Sequence, residues 1–352
     1  MEIKNWSMEW GGRALTVEVG RFALQTNASC TVRYGDTVIL ATAVISKNTR
    51  DGIDFLPLMV NFEEKLYAAG KIKGSRFIKR EGRPSEEAIL SGRMVDRAIR
   101  PLFNPEMRND VQVILTALSW DGENDSQIPA LIGASIALAS SNIPWNGPIA
   151  GARVGRVDGQ WKLNPSFVER EAGGMDLVVA GTPDKVIMVE AGCHELPEAE
   201  MLSAMQFGAK EMEPVLDFIK KIQKEIGVAK VNPLDNPNEM EIKLKEVEKE
   251  VEDFVASHVN DWIFDAPKKN RAERVALLDK FIVAIKEMLD AKEVDEKIVK
   301  VVLSRLKTYV EKHITERILA KDQRLDGRSL TEIRDLKTEV ALLPRTHGSG
   351  MF

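Results

Sequence analysis

At 352 residues the chain exceeds one ordinary hydrophobic core, so two or three domains are expected. Apolar residues at 44% and charged residues at 29% are the balance of a globular protein, and a net charge of −5 excludes a generally basic chain. Two cysteines, Cys30 and Cys193, are too few for a disulfide framework.

Residues 12–45 read as strands joined by turns. Ala14 to Val19 alternates by face, Gly20-Arg21 marks a turn, and Thr37 to Val44 is a continuous β-type run. Such a run, apolar on both faces, fits a central strand covered by other elements. Phe55 to Val60 is a further short strand.

Residues 70–103 then read GKIKGSRFIKREGRPSEEAILSGRMVDRAIRPLF. Between Lys71 and Arg100 stand nine cations and four anions, an excess of +5 on an acidic chain. A cationic island of this kind points to a polyanion gripped at one place. Glycines at 70, 74 and 82 indicate a loop, and its tip interleaves Phe77 and Ile78 with Arg76, Lys79 and Arg80. That mixture suits single-stranded nucleic acid, in which cations follow phosphates and a ring stacks on a base. Beyond Pro84, Ser85 is an N-cap candidate and Glu86 and Glu87 favour the positive end of a helix dipole. On that helix Arg93, Arg97 and Arg100 recur at i, i+4 and i+7 and share one side. Ala88, Ser91, Val95, Ala98, Ile99 and Leu102 face inward. A single arginine here reads as a solvated surface charge; the loop tip and arginine row together read as an RNA grip.

Val111 to Leu118 is another central strand. The acidic turn Trp120 to Ser126 follows, and then a small-residue helix from Pro129 to Ser140. A strand, a turn and a helix N-terminus make an anion site in principle, but Asp121, Glu123 and Asp125 repel phosphate. The most apolar run, Ile128 to Ala139, is too short to span a bilayer, so no membrane association is expected. Residues 149–190 favour strands again, with hairpins at Asp158-Gly159 and Gly181 to Asp184. A helix begins near Pro197, with Met201, Leu202, Met205 and Phe207 on its apolar side.

Val231 to Asn238, with two prolines and three asparagines, marks a domain edge. From Glu239 to about Leu319 the period is helical, beginning with a stripe of Met240, Leu244, Val247, Val251, Phe254 and Val255. After Lys321 the pattern returns to β. Gly12 to Thr16 is echoed by Gly327 to Thr331, and Thr26 to Ser29 by Thr346 to Ser349. The echoes suggest a second copy of the first domain, barely begun at Phe352, and so a piece of a longer polypeptide. The scarce cysteines, read as small buried hydrophobes, fit a reducing compartment, and the start MEIKNWSMEWGG lacks a signal-peptide core. A cytoplasmic protein is expected.

Three words carry a family resemblance: Gly70 to Ile72 with Phe77 to Glu86; Gly92 to Arg97 with Arg100 to Phe103; and Leu343 to Ser349. Through them the chain resembles the N-terminal part of the bacterial polynucleotide phosphorylases, over essentially its whole length. The resemblance implies an α/β (α+β) fold: an RNase PH-like β-α core over 1–228, a linker over 229–238, an all-helical domain over 239–319, and the truncated start of a second RNase PH-like core over 320–352. It also implies a homotrimer whose six cores ring a channel that holds single-stranded RNA. The family's Phe-Phe-Arg-Arg type word reads Phe77-Ile78-Lys79-Arg80 here, so one ring and one guanidinium are replaced. The implied RNA contacts are Phe77, Ile78, Lys79, Arg80, Arg83, Arg93, Arg97 and Arg100, with Arg324, Arg328 and Arg345 offering phosphate contacts from the second core.

The implied reaction is reversible phosphorolysis in mRNA degradation, with inorganic phosphate as co-substrate and Mg²⁺ offsetting charge. The family's catalytic site belongs to the second core, so no catalytic or metal residue is assigned to this chain. In the first core the serine-loop position reads Asp125-Ser126-Gln127, and the metal-aspartate positions read Val168 and Gly174. The implied protein partners are an RNA helicase or an endoribonuclease of a degradosome. The alternative is a non-catalytic ring subunit of an exosome-like assembly. A small-molecule kinase is disfavoured, since no GxxxxGK[ST] word occurs.

Overall fold

A computed structural model of the chain describes residues 2–49, 53, 55–72, 74, 82–231 and 239–352. It divides into two compact units, Met1–Asp235 and Asn236–Phe352. The first begins with a six-stranded sheet: β1 (Lys4–Trp10), β2 (Arg13–Val19), β3 (Ala28–Tyr34), β4 (Thr37–Thr49), β5 (Leu58–Glu63) and β6 (Asn109–Ser119), ordered β1-β2-β3-β4-β6-β5. All neighbours are antiparallel except β5 and β6, which run parallel with Leu58 opposite Val111. Strict alternation along the central strands sets one buried face: Ile39, Ala41 and Ala43 on β4, and Val111, Val113 and Leu115 on β6.

Two details differ from the sequence reading. β1 precedes the first expected strand; its Trp6 and Trp10 are buried, and Gly11 and Gly12, both at positive φ, make the two-residue turn into β2. β5 starts at Leu58 rather than Phe55 because Pro57 has no N–H to give to the ladder; its carbonyl instead accepts from Val111 N at 3.0 Å.

Helix α1 (Glu86–Ile99) lies against β5, and α2 (Gln127–Ser140) packs on β3 and β4. Every residue of α2 from Ile128 to Ser140 is buried, because its other side faces a second sheet and α4. That sheet comprises β7 (Ala150–Val157), β8 (Gln160–Leu163), β9 (Met175–Gly181) and β10 (Val186–Cys193), ordered β10-β9-β7-β8. The short α3 (Phe167–Gly173) is not among the expected elements, although the Ser166-x-x-Glu169 capping box that starts it is a sequence-level signal. The long α4 (Glu198–Ile226) covers the second sheet. Beyond it, Lys230 Nζ donates to the carbonyls of Leu138, Ala139 and Ser141 at 2.6, 3.1 and 2.7 Å, closing the carboxyl end of α2. Burial pulls that ammonium down to about 8. Cys30 is buried, its thiol pushed up to about 12 by loss of water, whereas Cys193 is exposed on the edge strand, against the expectation of two buried cysteines.

In the second unit α5 (Glu239–Ser257), α6 (Arg271–Asp290) and α7 (Glu296–Lys321) enclose a core that includes Val251, Val255, Phe281, Ile285 and Val302. A π-helical turn, Val259–Ile263, leaves α5. The return to β is slight: among the described residues of this unit only β11 (Glu339–Val340) and β12 (Gly350–Met351) pair. Gly327 repeats the positive φ of Gly12, but residues 328–331 form no strand. Ile333, Val340 and Phe352 stand 77%, 81% and 89% exposed, so no sheet covers them within this unit. Among the described residues no helix is long and apolar enough to cross a membrane.

Candidate nucleic-acid interface

Because β5 and β6 run parallel, their carboxyl ends share one edge of the sheet. From β5 the chain passes through a single 3₁₀ turn, Leu66–Ala69, to Gly70 at φ 66° and then enters the cationic segment. Phe77, Ile78, Lys79 and Arg80, the tip word, lie outside the described residues, as do Lys73 and Arg76. The segment ends at Ser85, whose hydroxyl accepts from Ala88 N at 3.0 Å and donates to Glu64 at 2.7 Å. This cap ties the start of α1 to the end of β5, with Glu86 and Glu87 in the first turn.

The inward face of α1 buries Ala88, Ser91, Gly92, Met94, Val95, Ala98 and Ile99, with Leu102 only half-buried beyond its end. Its arginine row is not uniform. Arg93 is exposed and makes no hydrogen bond or ion pair among the described residues, and the same holds for Arg83. Arg97 reaches Glu190 on β10 at 2.7 Å and the carbonyl of Val189 at 3.2 Å. Arg100 forks onto Asp96 at 2.7 and 2.6 Å and donates to the Leu58 carbonyl at 3.0 Å. Two of the three guanidiniums thus fasten α1 to its neighbours and to itself. In the second unit Arg324 and Arg328 both meet Asp326, at 3.6 and 2.5 Å, and Arg345 is exposed.

At the carboxyl end of β6 the acidic turn uses its carboxylates on its own backbone. Asp121 accepts from Glu123 N, Asn124 N and Asp36 N at 2.9, 2.8 and 3.0 Å. Although burial opposes its charge, these donors and the Asn124 amide hold its carboxyl down to about 2. Asp125 accepts from Gln127 N at 3.0 Å. The amides of Glu123 and Asn124 in the turn and of Gln127 at the start of α2 are therefore already engaged.

Beneath this turn lies a residue that the sequence reading passed over. Arg153 on β7 is 5% exposed and stands between Asp125, at 2.7 Å, and Asp176, at 2.5 and 2.6 Å. It also donates to Gln127, whose amide reaches Ser91 of α1 at 2.8 Å. Burial works against its charge, but the two carboxylates hold its pKa above the usual arginine value. The available signal was an arginine inside the otherwise small and apolar run Ala150 to Gly155. Val168 is 77% exposed on α3, and Gly174 is the left-handed cap of that helix. Neither offers a metal ligand, and the nearby carboxylates converge on a guanidinium. The residues here do not fit a divalent cation.

Models of the 3′ exoribonuclease family match this unit, domain 1 over residues 11–144 and domain 2 over residues 147–211. Polyribonucleotide nucleotidyltransferases from Heliobacterium modesticaldum, Halalkalibacterium halodurans and Bacillus pumilus are 46%, 43% and 45% identical over 99%, 100% and 99% of the chain. The crystal structure of rice Rrp46 overlaps 63% of this chain and 93% of its own at a TM-score of 0.46 and 14% identity, which lends no weight to the assignment. The alignments cover 47%, 48% and 48% of the three bacterial relatives, so the chain spans about half of their length. With both family domains matched and the similarity running from end to end, the chain belongs to the 3′ exoribonuclease family, in its polynucleotide phosphorylase branch.

Proposed function

We propose that this chain is the RNA-holding part of a phosphate-dependent 3′→5′ exoribonuclease of mRNA degradation. The observation that carries the reading is a contrast within one core. The position matching the family's serine loop, Asp125-Ser126-Gln127, is engaged by Arg153, which Asp176 holds from its other side. The rim between β5 and α1 presents Arg83 and Arg93 without partners among the described residues. Of two neighbouring sites at the carboxyl ends of β5 and β6, one is closed to chemistry and the other is open to a polyanion.

In this reading Arg83, Arg93 and the loop word Phe77-Ile78-Lys79-Arg80 engage successive phosphates and a base of single-stranded RNA. Arg97 and Arg100 act as positioning residues that hold α1 in place. The reaction is carried by a second core outside this chain. An oxygen of inorganic phosphate attacks the terminal phosphodiester phosphorus, and the 3′ oxygen of the preceding nucleotide leaves and takes a proton. A nucleoside diphosphate is released. Mg²⁺, held outside this chain, supplies charge neutralisation when bound. Domain limits near 228, 239 and 320, a homotrimeric ring and a cytoplasmic location belong to the same proposal.

A salt titration of single-stranded RNA binding tests it. The logarithm of affinity should fall with the logarithm of salt concentration by about 0.7 per phosphate engaged. Arg83→Ala and Arg93→Ala should each lower that slope by about 0.7 without unfolding the chain. Unchanged slopes in both variants refute the assignment. With RNA, phosphate and Mg²⁺, this chain alone should release no nucleoside diphosphate, and turnover would overturn the division of labour.

A further inference from the structure

We infer that the carboxyl end of β6 carries a second RNA contact: the exposed indole of Trp120, a stacking platform buttressed by Phe167 and Arg170, receives one unpaired base. The inference rests on the RNA-binding reading above but concerns residues outside the cationic loop and the arginine row.

The five tryptophans of the first unit behave in two ways. Trp6, Trp10, Trp145 and Trp161 each donate the indole N–H, to Glu225, the Glu211 carbonyl, the Ile99 carbonyl and Ser203 respectively. Trp120 is 40% exposed, and its indole N–H has no partner among the described residues. A large ring left partly in water, with its donor unspent, contributes less to a core than its area allows. Phe167 meets it at 6.1 Å between centroids and 74° between planes, an edge-to-face contact that leaves the ring partly exposed. The guanidinium of Arg170 lies 4.8 Å from the Phe167 ring centre and 3.5 Å from Asp176. Asp176 in turn holds Arg153. The platform is therefore braced from beneath by the buried ion-pair network, and ordering it on binding costs little.

Charge selects what would lie on it. Asp121, Glu123 and Asp125 rim the same turn, and Glu123 is exposed with no hydrogen bond to its carboxylate among the described residues. Carboxylates repel phosphate but accept from the exocyclic amines and ring N–H groups of bases. The platform is thus suited to a base, as the rim at Arg83 and Arg93 is suited to phosphates. The two lie on one route. Trp120 N donates to the Ala68 carbonyl at 2.9 Å, and Ala68 belongs to the turn that leads into the cationic segment. The exposed indole thus stands beside the point at which the cationic segment begins.

The test compares a labelled oligoadenylate with an abasic oligomer of the same length, both titrated by fluorescence anisotropy against the full chain. Trp120→Ala should weaken oligoadenylate binding about 5- to 100-fold, the range for losing one stacked base. It should leave the abasic oligomer unaffected, and Trp120→Phe should recover most of the loss. Arg93→Ala should weaken both ligands. Wild-type affinity of Trp120→Ala for oligoadenylate would overturn the platform and leave the RNA reading standing, as would an equal loss on both ligands. If the wild-type chain binds neither ligand, both proposals fall.

Discussion

Replacing Arg153 by methionine removes a guanidinium from between two carboxylates and keeps most of its volume. The side chains of Arg153 and Asp125 are 6% and 11% exposed, whereas that of Asp176 is 37% exposed and keeps Arg170 at 3.5 Å. The cost therefore falls mainly on Asp125, left charged and nearly dry. Breaking a buried pair from one side costs about 3–5 kcal/mol. Urea unfolding followed by tryptophan fluorescence reports this unit, since five of the six tryptophans belong to it. At a slope near 3 kcal/mol/M the midpoint should drop by roughly 1 M or more. The triple variant Arg153→Met, Asp125→Asn, Asp176→Asn should regain part of the loss. A midpoint for Arg153→Met within about 0.2 M of wild type would refute the view that this network fastens the core.

Two further outcomes follow from the same interior. Asp121→Ala strips four donors of their acceptor and should cost about 1–3 kcal/mol at neutral pH. Because the folded carboxyl titrates near 2, below its unfolded value, the wild type keeps this contribution above about pH 4 and loses it as pH falls towards 2; acid titrations of equal shape in both proteins would contradict this. At Gly92, where α1 crosses β5, an added Cβ would lie 3.1 Å from the Val60 carbonyl oxygen and 3.3 Å from Phe62 N. Gly92→Ala should cost about 1–3 kcal/mol, or roughly 2–10 °C in thermal unfolding of a unit this size, and an unshifted transition would mean that the helix can move aside.

Much of this fold is written in period and punctuation. The alternation of β4 and β6, the Ser85 cap, the inward face of α1 and the stripe of α5 all follow from local pattern. β1 was within reach, since Trp6, Met8 and Trp10 alternate, but a tryptophan-rich start before a glycine pair was passed over. The partners of charged groups were less legible. Arg100 with Asp96 is an i, i+4 pair that helical geometry predicts. Arg97 meets Glu190 from 93 residues away, and no local rule announces that meeting. Arg153 shows the same limit. Its burial was signalled by its apolar neighbours, but that Asp125 and Asp176 would both turn to it depends on two sheets and a helix N-terminus coming together. Patterns of charge along a chain show where cations are dense; only packing decides which of them remain free to bind something else.

The return of the chain after α4 to the end of α2 sets where the first unit can be cut. Lys230 serves three carbonyls there, Val228 N donates to Ser140 O at 3.1 Å and Val231 N to Asn142 O at 2.9 Å. A truncation after Ile226 would preserve every strand and helix of the unit yet uncork its most apolar helix, stripping the carbonyls of Ala139, Ser140, Ser141 and Asn142 of these donors. The five residues that look like the beginning of a tether are the last stitch of the domain, and a soluble fragment for biophysical work has to extend past Val231.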